Sequence, residues 1–251
     1  MSRNIKLTIE YEGTNYHGWQ IQGKGHKTIQ GQIEKALRKI FKKDIRLYGS
    51  GRTDSGVHAF GQVANFKVSS YLSLNEIQKA INANIPDDIS IIDIEEVSLD
   101  FHSQYSAKFK IYRYVILNRQ APSVKDRNFC LHYPYKLNLA LMRREAAILV
   151  GKKDFRSFQA SDPRNPHRDK NTIRTVRNIS IRRKGDYVFI DIEADGFLYK
   201  MVRNIVGTLL EIGRGKLPKG SMEMILLKKD RSAAGYTAKA KGLVLLKVLY
   251  P

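Results

Sequence analysis

Cysteine is nearly absent from this chain of 251 residues, with Cys130 as the single example. One cysteine excludes an intramolecular disulfide framework, and without a nearby second thiol it provides no CxxC pair for structural zinc. The six histidines are scattered, with no i, i+4 pair joined to a carboxylate, so the pattern does not indicate a zinc enzyme. We interpret Cys130 as a small packing residue and expect no metal site.

Long apolar runs are also missing. No stretch approaches the roughly 18 residues that a membrane-spanning helix needs. The amino terminus, MSRNIKLTIE, lacks the apolar core of a signal peptide. We therefore expect no membrane partner and a cytoplasmic location.

Acidic residues are scarce relative to basic ones. The chain has 24 Asp and Glu against 44 Lys and Arg, a net charge of +20, which predicts a polyanionic partner with nucleic acid as the first candidate. Lys24 to Lys43 holds seven basic residues and one acid, and Asp162 to Lys184 holds eight and two. Either segment is also consistent with an ordinary solvated face. The candidate RNA-binding residues in them are Lys24, Arg38, Lys39, Lys42, Arg164, Arg168 and Lys170.

Nucleotide-cofactor motifs do not fit either. Gly13 and Gly18 have the spacing of a phosphate-binding loop, but Trp19-Gln20 stands where Lys and Ser or Thr are needed. Gly49 and Gly51 lack the third glycine and the following helix of a dinucleotide fingerprint. We therefore expect no cofactor.

Hydrophobic periodicity predicts a mixture of strands and helices in both halves of the chain. Ile5, Leu7 and Ile9 alternate with polar residues, as in a strand with one buried face. The first half has the order strand, helix, strand, strand, helix, strand, and the second half repeats the mixture without residue-level repetition. The predicted fold class is α+β, with two similar halves of mainly antiparallel sheet covered by helices and a cleft between them. The predicted domains are residues 1–105 and 106–251.

The individual predictions rest on capping and turn signals. Thr28 and the capping box Ser73 to Glu76 each predict a helix start, and Lys184-Gly185-Asp186 predicts a hairpin turn. The predicted strands are 5–11, 45–48, 62–68, 89–97, 109–117, 176–181, 188–194 and 242–248, and the predicted helices are 28–40, 74–84, 138–150, 201–212 and 221–227.

The stretch Gly49 to Ala59, GSGRTDSGVHA, is predicted to be a loop. Three glycines and several short polar side chains disfavour helix and strand interiors. The loop places Arg52, Asp54 and His58 close together before an apolar strand, a pattern typical of functional loops on a rigid scaffold. An ordinary Asx-type turn at Asp54-Ser55-Gly56 is the simpler interpretation from spacing alone.

The motif GRTDSGVHA closely resembles the catalytic motif of the tRNA pseudouridine synthase A family. Further motifs of that family have similar counterparts along nearly the whole chain, in the family's order: YEGTNYHGWQ, TIQGQIEKAL, KIYRY, DFRSF, FLYKMVRNIVGTLLEIGRG and AKGLVLLKVLYP. The resemblance implies the pseudouridine synthase fold and an isomerase without a cofactor. It also implies uridines of the tRNA anticodon arm as substrate, and a homodimer.

The resemblance also implies roles for four residues. Asp54 would be the catalytic aspartate and Arg203 its basic partner, Tyr112 would stack on the target base, and Arg52 would help to hold the flipped-out nucleotide. A carboxylate suits a reaction that breaks the bond between sugar and uracil nitrogen and rejoins the ring through carbon 5. Attack on the sugar, attack on the ring and removal of a sugar proton all remain open.

Two departures from the family pattern bear on RNA placement. FHSQYSA has Gln104 where the family has arginine, and TAKAKGL has Lys239 where proline is common. His58 and Thr53 are interpreted as loop scaffolding, and Tyr16 and Trp19 as either packing residues or RNA contacts. The alternative functions are a non-catalytic RNA-binding or RNA-folding protein on the same scaffold, and a paralogue with another RNA target.

Overall fold

A computed structural model describes residues 2–23, 25–162 and 171–251. The chain divides into two compact units, Met1–Lys108 with Val244–Pro251, and Phe109–Leu243. The carboxy-terminal strand thus belongs with the first unit, although the predicted domain 106–251 contains it. The α+β class with a mainly antiparallel sheet is confirmed.

The first unit is a sheet in the strand order β4-β1-β3-β10, with β2 added on β3. Pairing is antiparallel except between β3 and β10, which run parallel. Alternate residues of β1 face the core of this unit, and Ile5 and Leu7 are fully buried there. The apolar sides of the helices α1 and α2 complete this core. The elements are β1 (Ser2–Tyr11), α1 (Ile29–Phe41), β2 (Tyr48–Gly49), β3 (His58–Ser69), α2 (Leu74–Asn82), β4 (Ile89–Val97) and β10 (Leu243–Leu249).

Both helix starts in the first unit follow the predicted capping. The Thr28 side chain accepts a hydrogen bond from the Gly31 amide, and Ser73 and Glu76 form the complete capping box. The predicted strand at 45–48 is wrong in extent, because only Tyr48 and Gly49 pair, with Asn65 and Ala64 of β3.

The second unit is a sheet in the order β5-β9-β8-β7, antiparallel throughout, with β6 added parallel to β5. The hairpin between β8 and β9 turns at Lys184 to Tyr187, as predicted. The short strands β6 and β7 were not predicted. The elements are β5 (Phe109–Leu117), β6 (Leu131–His132), α3 (Leu139–Ala147), β7 (Gly151–Asp154), β8 (Ile173–Lys184), β9 (Tyr187–Ala194), α4 (Met201–Gly213) and α5 (Ser221–Lys228), with 3₁₀ turns at Arg156–Phe158, Arg231–Ala233 and Ala240–Gly242.

Candidate active site

The candidate catalytic loop runs from Ser50 to Val57, between β2 and β3. At its start, the Ser50 amide donates to the Val63 carbonyl at 2.7 Å, and the Gln62 side chain donates to the Gly51 carbonyl at 3.0 Å. The predicted loop from Gly49 to Ala59 is therefore wrong at both ends, since Gly49 lies in β2 and His58 begins β3. Both ends of the loop are fixed by sheet pairing.

The middle of the loop is held by the segment that follows β1. The Trp19 amide donates to the Thr53 carbonyl at 3.1 Å, and the Gly56 amide donates to the Tyr16 carbonyl at 3.3 Å. Gly18 has a φ of +88°, and a Cβ there would lie 2.4 Å from the Thr53 carbonyl oxygen. Only glycine allows this close approach of the two segments.

Buried side chains complete the support of the loop. The Thr53 hydroxyl hydrogen-bonds the Tyr11 hydroxyl at 2.8 Å, and the Gly13 amide donates to Nδ1 of His58 at 3.1 Å. Burial raises the pKa of Tyr11 far above its ordinary value, so the phenol stays neutral. These contacts agree with the interpretation of Thr53 and His58 as scaffolding.

The charged residues of the loop lie between these supports. Thr53 is buried, Asp54 is partly buried and Arg52 is exposed. The carboxylate of Asp54 therefore sits on a fixed backbone rather than on a free loop tip, which favours a positioned chemical group over a simple surface turn.

Tyr112, the candidate stacking residue, lies on β5 in the second unit. It is buried, and its ring meets Phe197 edge to face with 5.0 Å between the ring centroids. Tyr114 shares its face of the strand and donates from its hydroxyl to the Lys239 carbonyl at 2.7 Å. Phe197 had no predicted role, although it lies in a motif that carries the family resemblance.

Arg203, the candidate basic partner, lies in the first turn of α4. This helix is buried nearly all round, with Arg203 and Glu211 as its only residues that are not fully buried. Nε of Arg203 donates to the Ala238 carbonyl at 2.7 Å, and the Ala238 amide donates back to the Arg203 carbonyl at 3.1 Å. These reciprocal bonds fix the guanidinium group against residues 236–238.

A buried polar network anchors the same segment to α4. Oδ1 of Asn204, which is fully buried, accepts from Arg231 at 3.1 Å and from the Thr237 hydroxyl at 2.6 Å. A Cβ on Gly207 would lie 1.7 Å from the Tyr236 carbonyl oxygen, so helix and segment are in direct backbone contact. Sequence reasoning missed this network, because Arg231 and Thr237 lie in no local pattern.

The guanidinium group of Arg203 acts electrostatically on the strand that carries Tyr112. Burial raises the pKa of Tyr114 well above its ordinary value, and the positive charge of Arg203 opposes that shift. Tyr114 and the candidate stacking residue Tyr112 lie on the same face of β5.

Three of the candidate RNA-binding residues can be described. Arg38, Lys39 and Lys42 are exposed on or just after α1, and Arg38 forms an ion pair with Asp44. Lys42 ends the helix with a φ of +57°. Lys24, Arg164, Arg168 and Lys170 lie outside the described residues.

Metal-binding clusters and membrane-spanning helices are both absent from residues 2–23, 25–162 and 171–251. Within those residues, no group of three or more His, Cys, Asp or Glu side chains is arranged to hold a metal ion. No helix in the same residues is both long and apolar enough to cross a membrane.

Comparison with known proteins defines the class. Residues 7–106 and 146–251 match the family model described as tRNA pseudouridine synthase. The chain is 44% identical to a tRNA pseudouridine synthase A of Thermoanaerobacter sp. (strain X514), over 99% of this chain and all of the relative. It is 45% identical to one of Acetivibrio thermocellus, over the same shares, and 43% identical to one of Thermodesulfovibrio yellowstonii, over 98% of this chain and 99% of the relative.

These matches cover both described units, the Asp54 loop, β5 and α4. The chain belongs to the tRNA pseudouridine synthase family, a family of isomerases. A chain in the solved structure of a Cbf5-Nop10-Gar1 complex is 12% identical, with a TM-score of 0.37 over 96% of this chain and 58% of that chain, and adds nothing to this assignment.

Proposed function

We propose that this protein isomerises uridine to pseudouridine in the anticodon arm of tRNA. In this proposal Asp54 is the catalytic carboxylate, Arg203 its basic partner, Tyr112 the stacking residue and Arg52 a contact to the displaced nucleotide. The observation that carries the proposal is family membership over the whole chain, with a fixed aspartate loop in the first unit.

The chemistry explains the residue types. The bond from the sugar to uracil N1 breaks and a bond from the sugar to C5 forms; the C5 hydrogen leaves as a proton and N1 gains one. No net oxidation or hydrolysis occurs. An ionised carboxylate is needed whether it attacks the sugar, attacks the ring or removes a sugar proton.

Arginine suits the partner role because it stays protonated and can pair with a carboxylate in two hydrogen bonds. The bonds between Arg203 and Ala238 set the direction of its guanidinium group before any substrate binds. Aromatic stacking against a displaced base offsets part of the unstacking free energy, about a few kcal/mol.

The test is tritium release from tRNA transcripts labelled at uracil C5. We expect Asp54→Asn to abolish release while tRNA affinity stays within about twofold. Asp87→Asn, an equal charge change at an exposed site of the same unit, is the matched control and should release tritium like the unmodified protein. Full release by Asp54→Asn would reject the assigned role of this residue.

The same tritium-release assay distinguishes the proposed enzyme from a non-catalytic RNA-binding protein. An unmodified protein that binds tRNA transcripts but never releases tritium would be a non-catalytic RNA-binding protein on this scaffold. Mapping pseudouridine in tRNA from cells that lack the protein identifies the target uridines and separates the anticodon arm from another RNA.

The resemblance also implies a homodimer, which we include in the proposal together with a cytoplasmic location. Light scattering on the purified protein should give twice the chain mass of 28.7 kDa. A monomer that turns over tRNA would remove the dimer from the proposal.

A further inference from the structure

Four side chains of the first unit form a continuous ladder on its surface. The guanidinium carbon of Arg46 lies 5.2 Å from the ring centroid of Tyr48, whose ring lies 5.2 Å from His102, and His102 lies 4.4 Å from Tyr105. Arg46 is exposed, and Tyr105 is 79% exposed at the far end. We call Arg46, Tyr48, His102 and Tyr105 the surface ladder.

Buried polar contacts hold the surface ladder in place. Ser103 is fully buried; its amide donates to Asn65 at 2.9 Å, its hydroxyl donates to the Tyr48 carbonyl, and its carbonyl accepts from the Tyr250 hydroxyl at 2.7 Å. These bonds join the segment that carries His102 directly to β2, which carries Tyr48. The rings are therefore preorganised by the core of the unit and are not a chance surface contact.

The His102 ring is itself fixed. Its Nδ1 atom accepts from the Gln104 amide at 3.1 Å and from the Tyr105 amide at 3.4 Å. The following turn is closed by the Ser106 amide, which donates to the His102 carbonyl at 2.9 Å. Tyr105 is thereby presented with little freedom of its backbone.

The surface ladder also adjoins the candidate catalytic loop in the chain. Tyr48 is the first residue of β2, and the loop begins at Ser50. An occupant of the ladder would thus contact the strand that leads into this loop. Two residues of the ladder, His102 and Tyr105, lie in the segment FHSQYSA, in which Gln104 departs from the family pattern.

We propose that the surface ladder binds unpaired nucleotides of the RNA substrate, with a base stacked on Tyr105 and a phosphate at Arg46. This inference rests on the proposed function. Exposed aromatic rings interleaved with a cation are the recognition chemistry of single-stranded RNA, because every base has a stacking face and every linkage carries a negative charge. The net charge of +20 favours an anionic occupant over an apolar protein surface. The exposed aromatic rings favour RNA over an acidic protein surface, which has no bases to stack on them.

The experiment compares ring removal with ring replacement. We expect Tyr105→Leu to weaken binding of an unmodified tRNA transcript about tenfold, since one base loses its stacking partner. Tyr105→Trp should restore affinity, because it restores an aromatic face. Tyr71→Leu is the matched control, an exposed tyrosine of the same unit outside the ladder, and should bind like the unmodified protein.

Two further measurements distinguish base stacking on Tyr105 from phosphate binding by Arg46, and test whether the bound nucleotides must be unpaired. Tyr105→Leu should leave the salt dependence of binding unchanged, whereas Arg46→Gln should make it shallower, because only the arginine neutralises a phosphate. Pairing the anticodon loop with a complementary oligonucleotide should abolish the difference between Tyr105→Leu and the unmodified protein.

Equal affinity of Tyr105→Leu and the unmodified protein would overturn the inference, as would an equal loss in Tyr71→Leu or no recovery in Tyr105→Trp. A change of mass in light scattering without a change in RNA affinity would overturn it and assign the ladder to contacts between copies of the chain. Ladder-dependent binding without any tritium release would reject the proposed catalysis and leave this inference standing.

Discussion

Asp191 is a carboxylate of β9 held between two arginines. Arg113 donates to both of its oxygens, at 2.7 and 2.8 Å, and Arg182 donates to Oδ2 at 2.7 Å. The Asp191 side chain is 15% exposed. Desolvation raises the pKa of Asp191, but the hydrogen bonds and charges of Arg113 and then Arg182 outweigh it, and the pKa lies below its ordinary value.

The pKa of Asp191 predicts a pH-dependent contribution to stability. A depressed folded-state pKa stabilises the protein above the unfolded value of about 3.9, and this contribution is lost as pH falls through the folded pKa. We expect Asp191→Asn to lower the free energy of unfolding by about 2 kcal/mol at pH 7, since it removes the carboxylate that pairs with the partly buried Arg113. In urea unfolding, the difference in the free energy of unfolding between Asp191→Asn and the unmodified protein should become smaller below about pH 4.

Asp186→Asn supplies the control for this measurement. Asp186 pairs with Arg119 at 3.3 Å, and both side chains are about half exposed. Its removal should change the free energy of unfolding by less than about 1 kcal/mol at either pH. If the free energy of unfolding lost in Asp191→Asn stayed constant from pH 7 to pH 3, the ion-pair explanation would be contradicted.

Single residues also show where sequence reasoning ends. The sequence left Tyr16 and Trp19 open between packing and RNA contact, and the structure buries both, at 2% and 3% exposed. A Cβ on Gly49 would lie 2.3 Å from the Trp19 indole nitrogen, across 30 positions of chain. The proposed roles of Asp54 and Arg203 come only from the family resemblance, since a turn aspartate and a helix arginine have no distinctive spacing.

At the scale of elements, prediction succeeded where the signal is local. The starts of α1 and α2 follow from Thr28 and Ser73, because an N-cap bonds an amide only a few residues away. The strand β7 was missed because its residues, Gly151–Asp154, are mostly polar and become a strand only by pairing with β8. Helix α5 is an intermediate case, since its start was predicted but its cap comes from another helix.

That cap is Glu145 of α3. The residue before α5, Gly220, has no side chain, and Glu145 instead accepts from the Gly220 amide at 2.7 Å and the Met222 amide at 3.0 Å. Glu145 is 1% exposed. One buried carboxylate therefore satisfies two amides at the start of another helix and joins α3 to α5.

We expect Glu145→Ala to lower the free energy of unfolding by about 3 kcal/mol, because the buried Met222 amide and the partly buried Gly220 amide lose their acceptor. Glu145→Gln keeps one acceptor oxygen and should therefore lower the free energy of unfolding by less than Glu145→Ala does. Glu223→Ala, an exposed glutamate in the first turn of the same helix, is the control and should lose under about 1 kcal/mol. Urea unfolding measures all three, and equal losses in Glu145→Ala and Glu223→Ala would exclude the buried cap.

At the scale of the whole molecule, strand pairing was the hardest feature to predict. The final strand, β10, runs parallel to β3, with Val244 opposite His58 and Leu245 opposite Ala59. Nothing local in AKGLVLLKVLYP identifies a partner nearly 190 positions earlier, because the same apolar run could pair with any open strand edge. Composition, in contrast, is a property of the whole chain and predicted an anionic partner directly.

The net charge of +20 predicts binding to tRNA that weakens steeply with salt. Such a dependence arises either from specific lysines that touch phosphates or from the whole charged surface acting as one field. Lys39 and Lys42 are exposed at the end of α1. If they touch phosphates, Lys39→Gln with Lys42→Asn should lower the salt slope of log affinity by roughly one for each phosphate no longer neutralised. Asparagine is chosen because position 42 has a φ of +57°.

Lys67→Gln with Lys79→Gln is the matched control for this double variant. Both residues are exposed in the same unit, and both double variants lower the net charge by two. Direct phosphate binding predicts a shallower salt slope only for the variant at positions 39 and 42. Equal slopes for the two variants would show instead that the α1 lysines act through the overall field, because a long-range field depends on charge more than on position.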